Sequence, residues 1–115
     1  MEVGLCFDDQ DEDIVTSVPV VECSEPHDNE VFASARYTGS DVFPGDDALQ
    51  EFGFDSCLDH FESYVGKAYA DSELEIFPIT PTEESWDAQD DREITCALFA
   101  LDLSKLTGSM RGAAR

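Results

Sequence analysis

Cys6, Cys23, Cys57 and Cys96 carry the most versatile chemistry in this chain, because a thiol can oxidise, ligate a metal or act as a nucleophile. Their spacing selects among these uses. None lies close to a second cysteine, whereas zinc sites and redox pairs are built from near neighbours. Widely spaced cysteines in a small, very acidic domain read as two disulfide bridges, which form outside a reducing cytosol. The rival is a cytosolic protein with four free thiols.

The other candidates are fewer. His27 follows Pro26 and stands among Glu25, Asp28 and Glu30. Such a histidine can act as a base or a ligand. The simpler reading is a turn residue whose ring hydrogen-bonds the backbone and fixes the start of the next strand. His60 is expected at the border of a buried helix face. Trp86, with Phe43, Tyr69 and Phe77, could form an aromatic platform for carbohydrate; packing into a core or lid is the default for a lone tryptophan. His27 and Trp86 are therefore the candidates for a surface binding site.

No catalytic residue emerges. A serine or cysteine nucleophile needs a base and an oxyanion hole, and no G-x-S-x-G turn occurs. With 27 acidic residues, chance carboxylate pairs are inevitable, so no particular pair indicates glycosidase chemistry. The acidic run after Phe7 (FDDQDED) lacks the central glycine and spaced ligands of a calcium loop and reads as solvated. No metal or cofactor is expected.

The chain has 115 residues and a formal net charge of −21, with only six basic side chains. That field repels phosphate backbones and anionic lipid, so no nucleic-acid partner is expected. Hydrophobic content of 42%, with eight Phe, nevertheless supports a core. The length fits one domain, assigned to residues 1–104. Residues 105–115 are expected to be a mobile, weakly basic tail, given Lys105, Arg111 and Arg115 among Gly108, Gly112, Ala113 and Ala114. There is no apolar run of about 18 residues and no leader at Met1. The disulfide reading therefore implies that a leader or anchor has been trimmed away.

Elements follow from periodicity. A short strand is predicted around Val3 to Phe7. Val15 to Cys23 is β-branched, and Pro19 makes it an edge or bulged strand. Glu30 to Tyr37 alternates, with Val31, Ala33, Ala35 and Tyr37 on one face and Phe32, Ser34 and Arg36 on the other. Asp46 or Asp47 caps a long helix to about Val65, whose stripe is Phe54, Cys57, Leu58, Phe61 and Val65; Gly66 stops it. Leu74 to Thr80 is a strand, and Pro81 to Gln89 a short helix or turn capped by Thr80 or Thr82. Glu93 to Asp102 is apolar on both faces, hence central. The order predicts an α+β fold, a small, mainly antiparallel sheet with one long helix on one face.

Four cysteines allow three connectivities. Cys57 lies on the helix stripe, and Cys96 shares a strand face with Ile94 and Leu98. If that face meets the helix, Cys57 joins Cys96, and Cys6 is left for Cys23.

Several motifs occur in a fixed order: GLCFDD from Gly4, VPVVECSEPHDNEVF from Val18, FPGDDAL from Phe43, Cys57, the segment Trp86 to Arg92, Cys96, and LTGSMRGA from Leu106. Together they resemble the septum-formation domain family of actinobacterial membrane proteins over nearly the whole chain. The family's common W-x-x-G-D-R is altered here, since Gln89 and Asp90 lengthen that turn. The resemblance implies an extracytoplasmic domain anchored by a preceding transmembrane helix, and a link to cell division. It brings no catalytic residues. The expectation is thus a non-enzymatic, disulfide-stabilised interaction domain of a membrane-anchored envelope protein, with an envelope protein or cell-wall component as partner. The alternatives are an envelope hydrolase using His27 or a carboxylate pair, and a cation-stabilised acidic domain.

Overall fold

Cys57 and Cys96 stand at the junction on which the fold is built, where the long helix crosses the sheet. A computed structural model describes residues 3–8, 20–39 and 41–115. Along them run β1 (Cys6–Phe7), β2 (Val20–Val21), β3 (Asn29–Arg36), α1 (Asp46–Val65), β4 (Leu74–Ile79), α2 (Glu83–Gln89) and β5 (Glu93–Ala100). The five strands form one antiparallel sheet in the order β2-β1-β3-β5-β4. Helix α1 lies against β3, β4 and β5. This is the α+β architecture expected from the order of elements. The predicted strand from Val15 survives as β2 at the sheet edge; residues 9–19, and with them most of the acidic run, lie outside the described residues.

β5 is interior because its sequence can bury both faces. Ile94, Cys96 and Leu98 enter the main core under α1, while Ala97 joins a smaller cluster with Phe7 and Val31. β3 departs from simple alternation. Its register against β5 shifts between Val31 and Ala33, so Phe32 is an extra residue in the ladder. The shift sends Val31 to the smaller cluster and leaves Phe32, Ala33, Ala35 and Tyr37 with the main core. The predicted grouping of Val31 with Ala33 fails for this reason: one inserted residue inverts every side chain beyond it.

In α1 the buried stripe is Leu49, Gly53, Cys57, Phe61, Tyr64 and Val65. Leu58, predicted on that stripe, is 39% exposed. The helix is capped by Gly45 rather than by an aspartate side chain, with Asp46 and Asp47 in its first turn, at the positive end of the dipole. Gly66, at φ 89°, closes it in the left-handed conformation. Gly53 has a packing role. A Cβ there would stand 2.9 Å from Pro78 Cβ and 3.1 Å from Ile94 Cγ2, so the missing side chain lets α1 approach the sheet. Thr82 caps α2 in a reciprocal box with Ser85.

The chain after β5 is docked on the body, contrary to the mobile tail expected from its composition. Leu106 forms an antiparallel bridge with His27 through bonds of 2.8 and 2.7 Å. Gly108 N–H donates to Cys23 O, Gly112 N–H to Tyr64 O and Ala114 N–H to Val65 O. Leu106 and Met110 are buried. Two apolar anchors and a series of backbone bonds suffice where small side chains gave no signal.

Candidate functional site

The docked segment closes over a buried polar cluster. Glu30 on β3 faces Cys6 across the β1 ladder, and His27 is held in the preceding turn by its bridge to Leu106. Both side chains are 0% exposed. A buried carboxylate must recover the hydrogen bonds it loses to water. Glu30 accepts three: from Tyr64 O–H at 2.5 Å and Ser109 O–H at 2.9 Å on Oε2, and from Met110 N–H at 2.8 Å on Oε1. One side chain thereby ties β3 to α1 and to the C-terminal segment. Burial first, and the bond to Glu30 second, push the Tyr64 hydroxyl above its ordinary range.

His27 Nδ1 lies 2.8 Å from Glu25 O, a carbonyl that can only accept, so Nδ1 carries the proton. This is the ring-to-backbone bond predicted for a turn histidine. Nε2 then faces the cluster, 4.0 Å from Glu30 Oε1, and has no hydrogen-bond partner among the described residues. Cys6 Sγ lies 3.7 Å from Glu30 Oε1. It is bonded to Cys23 and carries no proton, so this is a contact rather than a hydrogen bond. Cys6, His27 and Glu30 are the group of three buried ligand-type side chains whose atoms lie within 4.8 Å of one another among the described residues. Outside the cluster, Lys105 Nζ pairs with Asp8 at 3.2 Å and Asp28 at 3.0 Å, which further ties the C-terminal segment to the β1 end.

The two proposed surface residues are not at the surface. His27 is sealed, and Trp86 is 2% exposed. Trp86 packs between Tyr37 and Phe43, with ring centroids 5.8 Å away in each case. Its Nε1–H donates to Asp41 O, and the Arg92 guanidinium lies 3.6 Å above its ring. Its ring is covered by neighbouring rings and by a cation–π contact instead of facing solvent. Phe77 and Tyr69 do not join it. Phe77 is 43% exposed on β4, and Tyr69 packs edge-on against Phe54 and Phe61 while donating to Glu75. His60 is exposed rather than at the border of the core. In the altered turn before Arg92, Asp90 takes the left-handed conformation at φ 53°, a region that Asp tolerates better than most residues.

Sequence reasoning weighed Glu30 only as a neighbour of His27 and did not join it to Tyr64, Ser109 and Met110. The available signal was a charged residue heading an apolar β run, and a tyrosine three residues after Phe61 on the helix stripe.

Fold and cluster together define a disulfide-clamped α+β domain sealed by its own C-terminal segment. Cys6 is joined to Cys23 and Cys57 to Cys96, both as expected. A family model described as septum formation matches residues 3–115, and the chain belongs to that family. No curated protein and no solved structure matches it. Among the described residues no helix is long and apolar enough to cross a membrane.

Proposed function

We propose that this chain is a non-catalytic extracytoplasmic interaction domain of a membrane-anchored envelope protein, acting in septum formation through an envelope protein or wall component. The observation that carries this reading is the pair of disulfides. They close both the core and the N-terminal edge of a septum-formation domain, and such bonds persist in oxidising compartments. The non-catalytic part is supported by the sealing of His27 and Glu30, since a base and carboxylate at 0% exposure meet no substrate without opening the fold. The charge of −21 supports a basic partner surface and opposes nucleic acid.

The test uses the full-length protein in its producing cells. A membrane-impermeant amine reagent should label Lys67 or Lys105 before lysis, and cross-linking should retain envelope components in a salt-sensitive manner. Labelling only after permeabilisation would remove the compartment. Turnover of wall polymer by the purified domain would remove the non-catalytic role.

A further inference from the structure

We propose that the Cys6–Cys23 bridge conceals a zinc-class metal site, opened by reduction, with Cys6, Cys23, His27 and Glu30 as ligands. The proposal is independent of the partner reading above. Its first support is tautomeric. Nδ1–H of His27 is committed to Glu25 O, which leaves Nε2 facing the cluster with no hydrogen-bond partner among the described residues and as the ring atom open to a metal. That is the arrangement of a metal-binding histidine, whose other ring nitrogen is fixed by a backbone carbonyl. Its second support is the carboxylate. Glu30 is oriented by Tyr64, Ser109 and Met110, as ligating carboxylates are oriented by their own hydrogen bonds.

Distances agree. Zinc bonds of about 2.0–2.3 Å in a tetrahedron place ligand atoms roughly 3.3–3.8 Å apart. Glu30 Oε1 lies 3.7 Å from Cys6 Sγ and 4.0 Å from His27 Nε2. Cys6, His27 and Glu30 already lie within 4.8 Å of one another; Cys23 does not belong to that group and, once the bond to Cys6 is cleaved, must turn about its side chain to join them. Cleaving that bond supplies two ligands and the space between them. The set of two thiolates, one imidazole and one carboxylate suits zinc. Cys23 and His27 are four residues apart in sequence.

The step balances with a dithiol as reductant. The dithiol attacks the half-buried Cys23 sulfur, the S–S bond breaks and two electrons pass to the Cys6 and Cys23 sulfurs. The reductant leaves as its own disulfide, and its two protons pass to the new thiols. Zinc binding then releases them as Cys6 and Cys23 become thiolates. Cys57 and Cys96 are both 0% exposed, so mild reduction reaches the N-terminal bridge first.

The experiment reduces the folded protein mildly without oxygen and titrates it with cobalt(II), whose thiolate charge-transfer band reports sulfur ligation. One cobalt per reduced chain is expected, with none on the oxidised chain. His27→Gln should weaken binding at least about tenfold, and the Cys57→Ala, Cys96→Ala double variant should retain it. If His27→Gln does not fold, alkylation of the mildly reduced wild-type chain decides: Cys6 and Cys23 should be alkylated without zinc and shielded with it. No charge-transfer band, equal binding by the oxidised chain or by folded His27→Gln, or unchanged alkylation of Cys6 and Cys23 under zinc would each overturn the proposal.

Discussion

The Cys57–Cys96 bridge and the Cys6–Cys23 bridge are the same bond in opposite surroundings. The first joins α1 to β5 between Phe61, Ile94 and Leu98, where packing already holds the two elements together. The second lies at a sheet edge against Glu30, beside the turn whose Cys23 and His27 backbones hold the C-terminal segment. One bridge reinforces an apolar core. The other fixes the wall of a polar cluster at the border of that core. The difference predicts that covalent clamping matters most to local order where apolar burial is least.

The largest effect separates the bridges by loop length. In the chain-entropy treatment, closing 39 residues is worth about 4 kcal/mol and closing 17 about 3 kcal/mol. Replacing Cys57 and Cys96 by Ala should therefore lower denaturant stability more than replacing Cys6 and Cys23. Hydrogen exchange should show the reverse pattern at Gly108 and Met110, whose amides bond to Cys23 O and Glu30. Uniform loss of protection in both variants would dissolve the contrast.

Next is Glu30→Gln. It keeps the shape but sets an amide donor among groups that already donate, and should cost about 2 kcal/mol. The loss should fall on the C-terminal segment, and urea unfolding with and without residues 105–115 would measure it. An equal loss in the truncated chain would place the effect elsewhere.

On the apolar side, Gly53→Ala gains helix propensity but drives a methyl into the rigid Pro78 ring. A net loss of about 1 kcal/mol is expected in thermal unfolding. A stabilised variant would show that α1 can withdraw from the sheet at no cost.

The smallest effect is alkaline. The bond to Glu75, then burial, pushes the Tyr69 hydroxyl up to about 12. The folded state thus holds this proton more tightly than the unfolded state. The associated stability is complete below the unfolded value of 10.0 and is lost as pH rises toward about 12. Melting temperature should fall across that window, and less so in Tyr69→Phe; an identical decline would assign it to other groups.

The apolar region was the more legible in sequence. Cys57 and Cys96 each lie on a periodic face, so their meeting followed from two local patterns. The polar cluster was not legible, because Glu30, Tyr64 and Ser109 belong to three distant segments and no local period links them. The bulge at Phe32 left no trace in composition. The closing segment was obscured by its own glycines and alanines, since backbone bonds, which any sequence can make, do most of the docking.

The most direct measurement is differential alkylation with mass spectrometry on protein taken from its own cells under acid quench. No accessible thiol before reduction is expected, with Cys6 linked to Cys23 and Cys57 to Cys96 in the proteolytic map. Four thiols alkylated in native material would contradict both the clamp and the compartment built on it.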